Sequence, residues 1–414
     1  IFLRNRNSIM KYICFICLCI MAFPVMANDK IIRIYQDADL SNHRKSSESI
    51  QKGIELAFSE IGNSISGYSV EFKYLNHRGN VVRSKMNYEK FINDPKALAI
   101  FSGIHSPPLI KNRDFINKSK ALTLVPWAAG APISRYPSSE NWIFRLSLDD
   151  ARAAPVLVDF AMKNKKCKSP HLLLENTPWG DSNLTGISNS LIKYGIVNAT
   201  ATRFGWNMGE QSSRMILREI LENGHDCILL VANSIEGAII IQSLLDIDAE
   251  DKLKIISHWG ITGGNFHEMI NATKRTNIDL SFIQSCFAFT NSVQSDFAKD
   301  VFSRLKKKYR NEINTPEDLH SAVGFIHAYD LTRVFIAAIK QTGLTGDIKI
   351  DRNAIRLALE NLQSEVQGLV KTYKKPFAQF DAKNNVNAHE ALNSNDFCMA
   401  RFGYADEILI LGDE

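Results

Sequence analysis

Two hydrophobic periods take turns along this chain. Residues 30–35 (KIIRIY) are an apolar run of strand type, and 48–61 then carries Ile50, Ile54, Ala57, Phe58 and Ile61 at helical spacing. Residues 68–74 alternate as a second strand, 83–93 return to the helical period, and 97–102 form a third strand. Ser106 stands before the helix-like run 107–118, as an N-cap residue would. A fourth strand opens the stretch 121–132 (ALTLVPWAAGAP), stops at Pro126, and passes into Trp127 and the small residues Ala128, Ala129, Gly130 and Ala131. After an extended crossing at 141–146 the alternation restarts. Helical segments at 149–163, 182–194, 213–223 and 235–245 interleave with strands at 171–175, 198–203, 227–232 and 254–257. Residues 279–289 are extended, 295–309, 319–341 and 352–362 are helical, and 372–380 are short and strand-like.

Strands alternating with helices of this length predict an α/β fold with largely parallel sheets. A chain of 414 residues exceeds what one core usually serves, so two lobes are expected. No low-complexity linker separates the two alternating halves, which predicts several crossings between lobes, as in a hinged binding protein.

In such sheets ligands bind at the carboxyl ends of strands. Ser106, the 127–130 loop and Tyr35-Gln36-Asp37 all fall there. Trp127 offers a flat apolar wall with one donor, and the small residues after it let a ligand approach the main chain. A serine hydroxyl and amide groups at a helix start favour an anion. A loop role for Trp127 predicts that Trp127→Ala loses ligand and keeps its fold.

Composition narrows the class. With 45% hydrophobic and 22% charged residues the chain is that of a soluble globular protein. Residues 1–27 read as an export signal. Met10 is the expected start, Lys11 the positive region and 12–23 the apolar core; Val25-Met26-Ala27 forms a small-x-small cleavage site, with cleavage after Ala27. Cys14, Cys17 and Cys19 follow Ile13, Ile16 and Leu18, which excludes lipoprotein processing. Loss of Arg4, Arg6 and Lys11 with this segment lowers the formal charge from +5 to +2, too weak for nucleic-acid binding. Cys167, Cys227, Cys286 and Cys398 remain. An even number in an oxidising compartment permits disulfides; their wide spacing and the apolar runs around Cys227 and Cys286 favour buried free thiols.

Several segments together resemble a known family. They are Gly53 to Ile61 (GIELAFSEI), Gly103 to Ser106, the 121–132 stretch with Phe144-Arg145-Leu146, Pro178-Trp179-Gly180 and Ala328-Tyr329-Asp330-Leu331. In order and spacing they are similar to the type I periplasmic solute-binding proteins, in the branch that binds branched-chain amino acids for ABC importers. The resemblance covers about residues 30–393. It implies two Rossmann-like lobes joined by three hinge crossings: 28–145 with 286–372, and 146–285 with 373–400, followed by a tail at 401–414. It implies a monomer in the periplasm that closes around a small ligand, catalyses nothing, needs no cofactor, and docks on an ABC permease. The alternative partner is a membrane sensor such as a kinase or cyclase.

By position, Ser106 with the Ala129 and Gly130 backbone would hold a ligand carboxylate, with Trp127 beside them. Trp179 would be the facing wall, where the family usually has a tyrosine. His258 and Trp259 fall near the position from which the family offers an acid to an amino group. No acid stands at 258–260; Asp37 and Asp181 are the substitutes in reach of the argument. Gly130 replaces a hydroxyl residue and Trp127 a proline. These departures favour a larger, flatter or less cationic solute than an ordinary branched-chain amino acid.

Other features have plainer readings. Trp142 is assigned to packing at the hinge, and Trp206 to a loop without a role. Arg145 with Asp149 and Asp150 is either a pair across the hinge or a solvated helix start. The run 304–310 (RLKKKYR) is a wet helix face. His320 and His327, seven residues apart, do not make a metal site. The glycines of 260–264 lack the Lys-Ser/Thr of a phosphate loop. No G-x-S-x-G, no H-E-x-x-H and no cysteine in a triad context points to an enzyme.

Overall fold

The computed structural model describes residues 30–137, 140–264 and 266–412. The expected signal segment, 1–27, lies outside the described residues.

The first half runs β1 (Ile31–Ala38), α1 (Arg44–Ser59), β2 (Ser64–Ile65), β3 (Tyr68–Asn76), α2 (Val81–Asn93), β4 (Ala97–Ser102), α3 (Ser106–Lys118), β5 (Thr123–Val125) and β6 (Ile143–Arg145). Its sheet has the order β2-β3-β1-β4-β5-β6 and is parallel except where β2 meets β3. The second half runs α4 (Asp150–Asp159), β7 (Pro170–Glu175), α5 (Pro178–Leu191), β8 (Thr200–Phe204), α6 (Glu210–Glu222), β9 (Cys227–Val231), α7 (Ser234–Asp246), β10 (Lys254–Ser257), the one-turn helices α8 (Phe266–Met269) and α9 (Ala272–Arg275), and β11 (Leu280–Ser285). The chain then returns with α10 (Asp296–Lys308), α11 (Ala322–Thr342), α12 (Ile348–Glu360) and a small hairpin of β12 (Val366–Gln367) and β13 (Thr372–Tyr373), and ends in β14 (Phe397–Phe402) and β15 (Ile408–Ile410). The second sheet has the order β15-β14-β11-β10-β9-β7-β8, with β14 and β15 antiparallel.

Strands β4 and β9 are buried along their whole length, as expected where helices cover both faces of a parallel sheet. Helix α11 packs along α1 and α12 against α11 and β4, so the returning helices complete the first lobe. The chain passes between lobes at 145–150, at 285–296 and again near 391–397.

The C-terminal third departs from the sequence reading. Within the expected strand 372–380 the strand proper is Thr372–Tyr373; the chain bends at Lys374 and Lys375, the latter with a positive φ, before Pro376. Residues 389–391 instead lie against β6 at the edge of the first sheet. The Arg145 amide donates to His389 O (2.9 Å) and the Ala391 amide to Arg145 O (2.9 Å). The segment set apart as a tail, 401–414, completes β14 and supplies β15 of the second sheet.

The expectation of free thiols is overturned. Cys167 is bonded to Cys227, with Cα atoms 5.8 Å apart, and Cys286 to Cys398, at 4.9 Å. The second bridge ties β14 to the end of β11, whose register sets Gln284 opposite Cys398. Proximity across the sheet, invisible in sequence spacing, made the pairs. Protein purified from an oxidising compartment should therefore take up no alkylating label when denatured without reductant, and four labels after reduction; four labels in the unreduced sample would refute both bridges.

Arg145 is neither a surface residue nor paired with Asp149 or Asp150. It is wholly buried, and its guanidinium meets the Glu390 carboxylate side by side, Nε to Oε2 at 2.8 Å and Nη2 to Oε1 at 2.6 Å. Burial works against the charge, yet Arg145 and Arg135 hold the Glu390 carboxyl below its ordinary range. Removing one partner of such a pair leaves an uncompensated buried charge. Glu390→Gln should lower the unfolding free energy by about 3 kcal/mol in denaturant titration; an unchanged midpoint would show that the pair stabilises nothing.

Candidate functional site

A cavity lies where the carboxyl ends of the two sheets meet. From the first lobe it is lined by Ser106 and Pro107 at the start of α3, and by Trp127 and Ala129 after β5. From the second come Glu175 and Trp179 around the end of β7, Asn233 after β9, and Trp259 and Gly260 after β10. The space left among them is room for little more than one water molecule. Direct contacts hold the lobes together around it: the Gly264 amide donates to Ser46 Oγ (2.8 Å), the Ala131 amide to Ser182 Oγ (3.0 Å), and Lys45 pairs with Glu268. The lobes are closed.

Arg145 shapes the first-lobe wall. One of its nitrogens, Nη1, donates to Ala128 O (3.1 Å) and Gly130 O (2.9 Å). In a trans peptide the N–H points opposite to the C=O, and no described peptide bond is cis. Drawing those carbonyls inward therefore turns the Ala129 and Ala131 amides outward. The Ala131 amide meets Ser182 of the second lobe, and Ala129 borders the cavity.

Ser106 is not the cap expected of it. It is the first residue of α3, the cap position belongs to His105, and Ser106 Oγ accepts from the Gly130 amide at 3.0 Å. That bond takes the Gly130 N–H away from any ligand in the closed state. A Cβ at residue 130 would stand 2.8 Å from Ile110 Cδ1 and 3.0 Å from Ser106 Cβ, so a side chain there would need Ile110 and Ser106 to shift. Pro107 and Pro108 follow and bring no N–H, leaving the helix start poorer in anion donors than expected.

The tryptophans are walls and core at once. Trp127 is 2% exposed, its ring 5.9 Å from that of Trp259. It rests on the backbone of α11, where a Cβ at Gly324 would stand 2.7 Å from Trp127 Cζ3. Trp127→Ala would open a large cavity costing about 3–5 kcal/mol, which corrects the expectation that the fold is indifferent to this residue. Trp179 donates from Nε1 to Asp150 Oδ1 (3.2 Å) and meets His258 edge to face at 5.1 Å. His258 stands behind that indole, off the cavity lining, with Nε2 3.1 Å from Asp150 Oδ1. The structure thus sets Ser106, Trp127, Ala129, Trp179 and Trp259 on the cavity and places Gly130 and His258 one layer back.

The acid sought at 258–260 enters from another strand. Glu175 ends β7 and borders the cavity. Its Oε1 accepts from the Asn233 amide (3.2 Å) and Nδ2 (2.8 Å), and its Oε2 from Trp206 Nε1 (2.9 Å). Burial, with nearby Glu236 adding to it, pushes Glu175 up to about 7. A lone acid closing the apolar run 171–175 was the available signal; Asn233 carried none. The substitutes proposed from sequence lie elsewhere. Asp37 accepts from Ser84 and Asn87 Nδ2 (2.7 Å), and burial pushes it up to about 7. Asp181 pairs with Arg203 (2.8 Å) outside the cavity. Asp149 pairs with Arg135 (2.8 Å). Trp142 is buried beneath Lys120 and Arg356. His327 is buried against Trp259, apart from His320, which stacks on His267.

The comparisons with known proteins agree with this architecture. A family model described as periplasmic binding protein matches residues 41–391. The chain belongs to the periplasmic binding protein family. Among curated protein sequences none matches this binding protein. Among solved structures it is similar to a periplasmic binding protein type 1 from Bordetella pertussis Tohama I: 17% identity, TM-score 0.75, covering 92% of this chain and 99% of that one. It is similar also to an ABC transporter solute-binding protein of R. palustris in complex with benzoate, at 16% identity and TM-score 0.73, covering 92% and 96%. A third likeness is LivJ of Streptococcus pneumoniae in complex with isoleucine, at 16% and 0.71, covering 92% and 100%. At these identities the likeness establishes the type I fold.

The cavity acid has a measurable consequence. With Glu175 pushed up to about 7 from an ordinary 4.5, the folded binding protein holds more protons than the unfolded chain between those values. Stability therefore falls as pH rises through that window, by up to about 3 kcal/mol. Glu175→Gln removes this slope, so thermal melts should show the variant gaining on the parent from pH 4.5 to pH 8. A constant gap would mean that Glu175 titrates normally.

Proposed function

We propose that this protein is an exported solute-binding protein that closes around a small, flat, carboxylate-bearing ligand and delivers it to an ABC permease. The observation that carries the reading is the cavity itself, built from strand ends of both lobes and walled by Trp127, Trp179 and Trp259. Such a site binds by closing rather than by reacting: excluding water strengthens each polar contact to the ligand. The outward Ala129 amide and the Ser106 hydroxyl are the donors for a carboxylate. The indoles sandwich an apolar body. Glu175 already accepts from the Asn233 amide, Asn233 Nδ2 and Trp206 Nε1, which leaves little acceptor capacity for an ammonium. That favours an aromatic or otherwise uncharged body over an α-amino acid, in line with the benzoate bound by the R. palustris relative. The two disulfides suit an oxidising compartment, and 1–27 suits export.

The closed cavity is too small for benzoate, so binding requires the indoles to separate and close again. Benzoate added to the purified protein should change tryptophan fluorescence saturably, and isoleucine should do so only at far higher concentration. Mass spectrometry of ligand released from the protein as purified provides an unbiased check. Saturable binding of isoleucine with none of benzoate would overturn the flat-carboxylate reading, and silence to a broad panel of small carboxylates would overturn the solute-binding role.

A further inference from the structure

Beside the solute cavity, within the first lobe, three side chains converge that no part of the solute-binding reading uses. Asp39 follows β1, His43 stands at the head of α1, and His105 lies between β4 and α3. All three are buried, His43 and His105 each only 6% exposed. One carboxylate oxygen of Asp39 and one ring nitrogen of each histidine lie within 4.8 Å of one another.

Two ring nitrogens in this cluster are not satisfied by the described residues. His43 Nδ1 and His105 Nε2 are buried without a hydrogen-bond partner among the described residues. His105 Nε2 lies 3.4 Å from Asp39 Oδ2, outside hydrogen-bond geometry. Asp39 is held in place from the other side: its Oδ1 accepts the amides of Ser41 (2.9 Å) and Asn42 (3.0 Å), and its Oδ2, the oxygen nearer His105, accepts one long bond from Asn42 Nδ2 (3.4 Å). Buried polar atoms left unpaired cost about 1–3 kcal/mol each, so they call for a partner.

We infer that Asp39, His43 and His105 bind a divalent transition-metal ion of the zinc class. Two imidazole nitrogens and one carboxylate oxygen are a donor set that zinc takes at about 2.0–2.2 Å. Tetrahedral ligands at that distance stand roughly 3.3–3.5 Å apart, which the His105–Asp39 separation of 3.4 Å already meets. His43 lies within 4.8 Å of both and would move closer on binding. A fourth position remains for water. His77 is near, its ring 5.8 Å from that of His105, but its Nδ1 accepts from the Gly79 amide (2.9 Å), so its other nitrogen carries the proton and does not ligate. Trp206 reaches over from the second lobe, its ring 5.2 Å from that of His105 and its Nε1 tied to Glu175. It covers the cluster when the lobes are closed. Because His105 and Glu175 also border the solute cavity, an ion here would stand at the cavity's rim.

The inference does not depend on the identity of the solute, since the metal alone tests it. Protein without a histidine tag, stripped by chelator and titrated with Zn²⁺ in a calorimeter, should bind one equivalent. With Co²⁺ in place of Zn²⁺ it should develop the visible absorption of a tetrahedral site. His43→Ala and Asp39→Asn should each weaken binding by at least about tenfold; circular dichroism establishes that each is folded, and the near-isosteric Asp39→Asn carries the test where His43→Ala is not. His320→Ala, in the more exposed group of His267, Glu268 and His320, should leave the equivalent intact. No uptake by the parent protein, uptake unchanged in folded Asp39→Asn, or loss with His320→Ala alone would each overturn the assignment.

Discussion

The buried guanidinium of Arg145 is the constraint on which the binding face rests. It belongs to β6, the last strand of the first sheet, yet its counter-charge, Glu390, comes from a segment 245 residues later. The pair fastens the returning chain to the sheet edge, and the same guanidinium draws the carbonyls of Ala128 and Gly130 inward. A charge so deep in a protein is stabilising only when its donors are satisfied. Here they are satisfied by Glu390 and by the loop that walls the cavity, so the need to solvate one arginine also fixes the backbone of that loop. Ser134 accepts from Arg145 Nη2 as well (3.3 Å), extending the same arrangement to the turn after the loop.

The second-lobe face follows a different logic. Some of its polar groups are paired with one another, Glu175 with Asn233 and Trp206 and Trp179 with Asp150, whereas both ring nitrogens of His258 behind that indole have no hydrogen-bond partner among the described residues. Closure has brought three indoles to the cavity, and they fill it almost completely. A ligand must therefore replace indole–indole contact with contact to itself. The proposed flat ligand suits this exchange, because a third ring between a tilted aromatic pair such as Trp127 and Trp259 would keep its faces buried. Trp127 serves both the core and the cavity, and its socket on the α11 backbone explains why one residue answers to both descriptions.

Polar groups around the rim are unevenly satisfied. Glu175 has donors on both oxygens, whereas His43 and His105 each present a buried nitrogen with no partner among the described residues. Together with the convergence of Asp39, His43 and His105, these unpaired nitrogens are the observation behind the proposed metal site. The rim also gives Trp206 two neighbours to respond to, the acid it donates to and the ring it covers.

Periodicity is a local property, and what it controls was legible in the residues alone. The strands β4 and β10 begin and end where the apolar runs do, the helices fall within a few residues of their patterns, and alternation implied a parallel α/β fold that the chain length divided into two lobes. The 121–132 stretch and Ser106 marked the first-lobe wall, and Trp179 and Trp259 the facing one. Tertiary structure alone decided which distant residues meet. Cys286 found Cys398 across β11 and β14, Arg145 found Glu390, and Asp39 and His43 found His105. Glu175 became the cavity acid because β7 ends where the lobes close, and Gly130 lost its free amide because Ser106 stands beneath it. Sequence spacing encodes the rotation of a side chain about its own strand or helix; it holds no record of which strand end will face which. That was set by sheet order and by the closing of one lobe on the other.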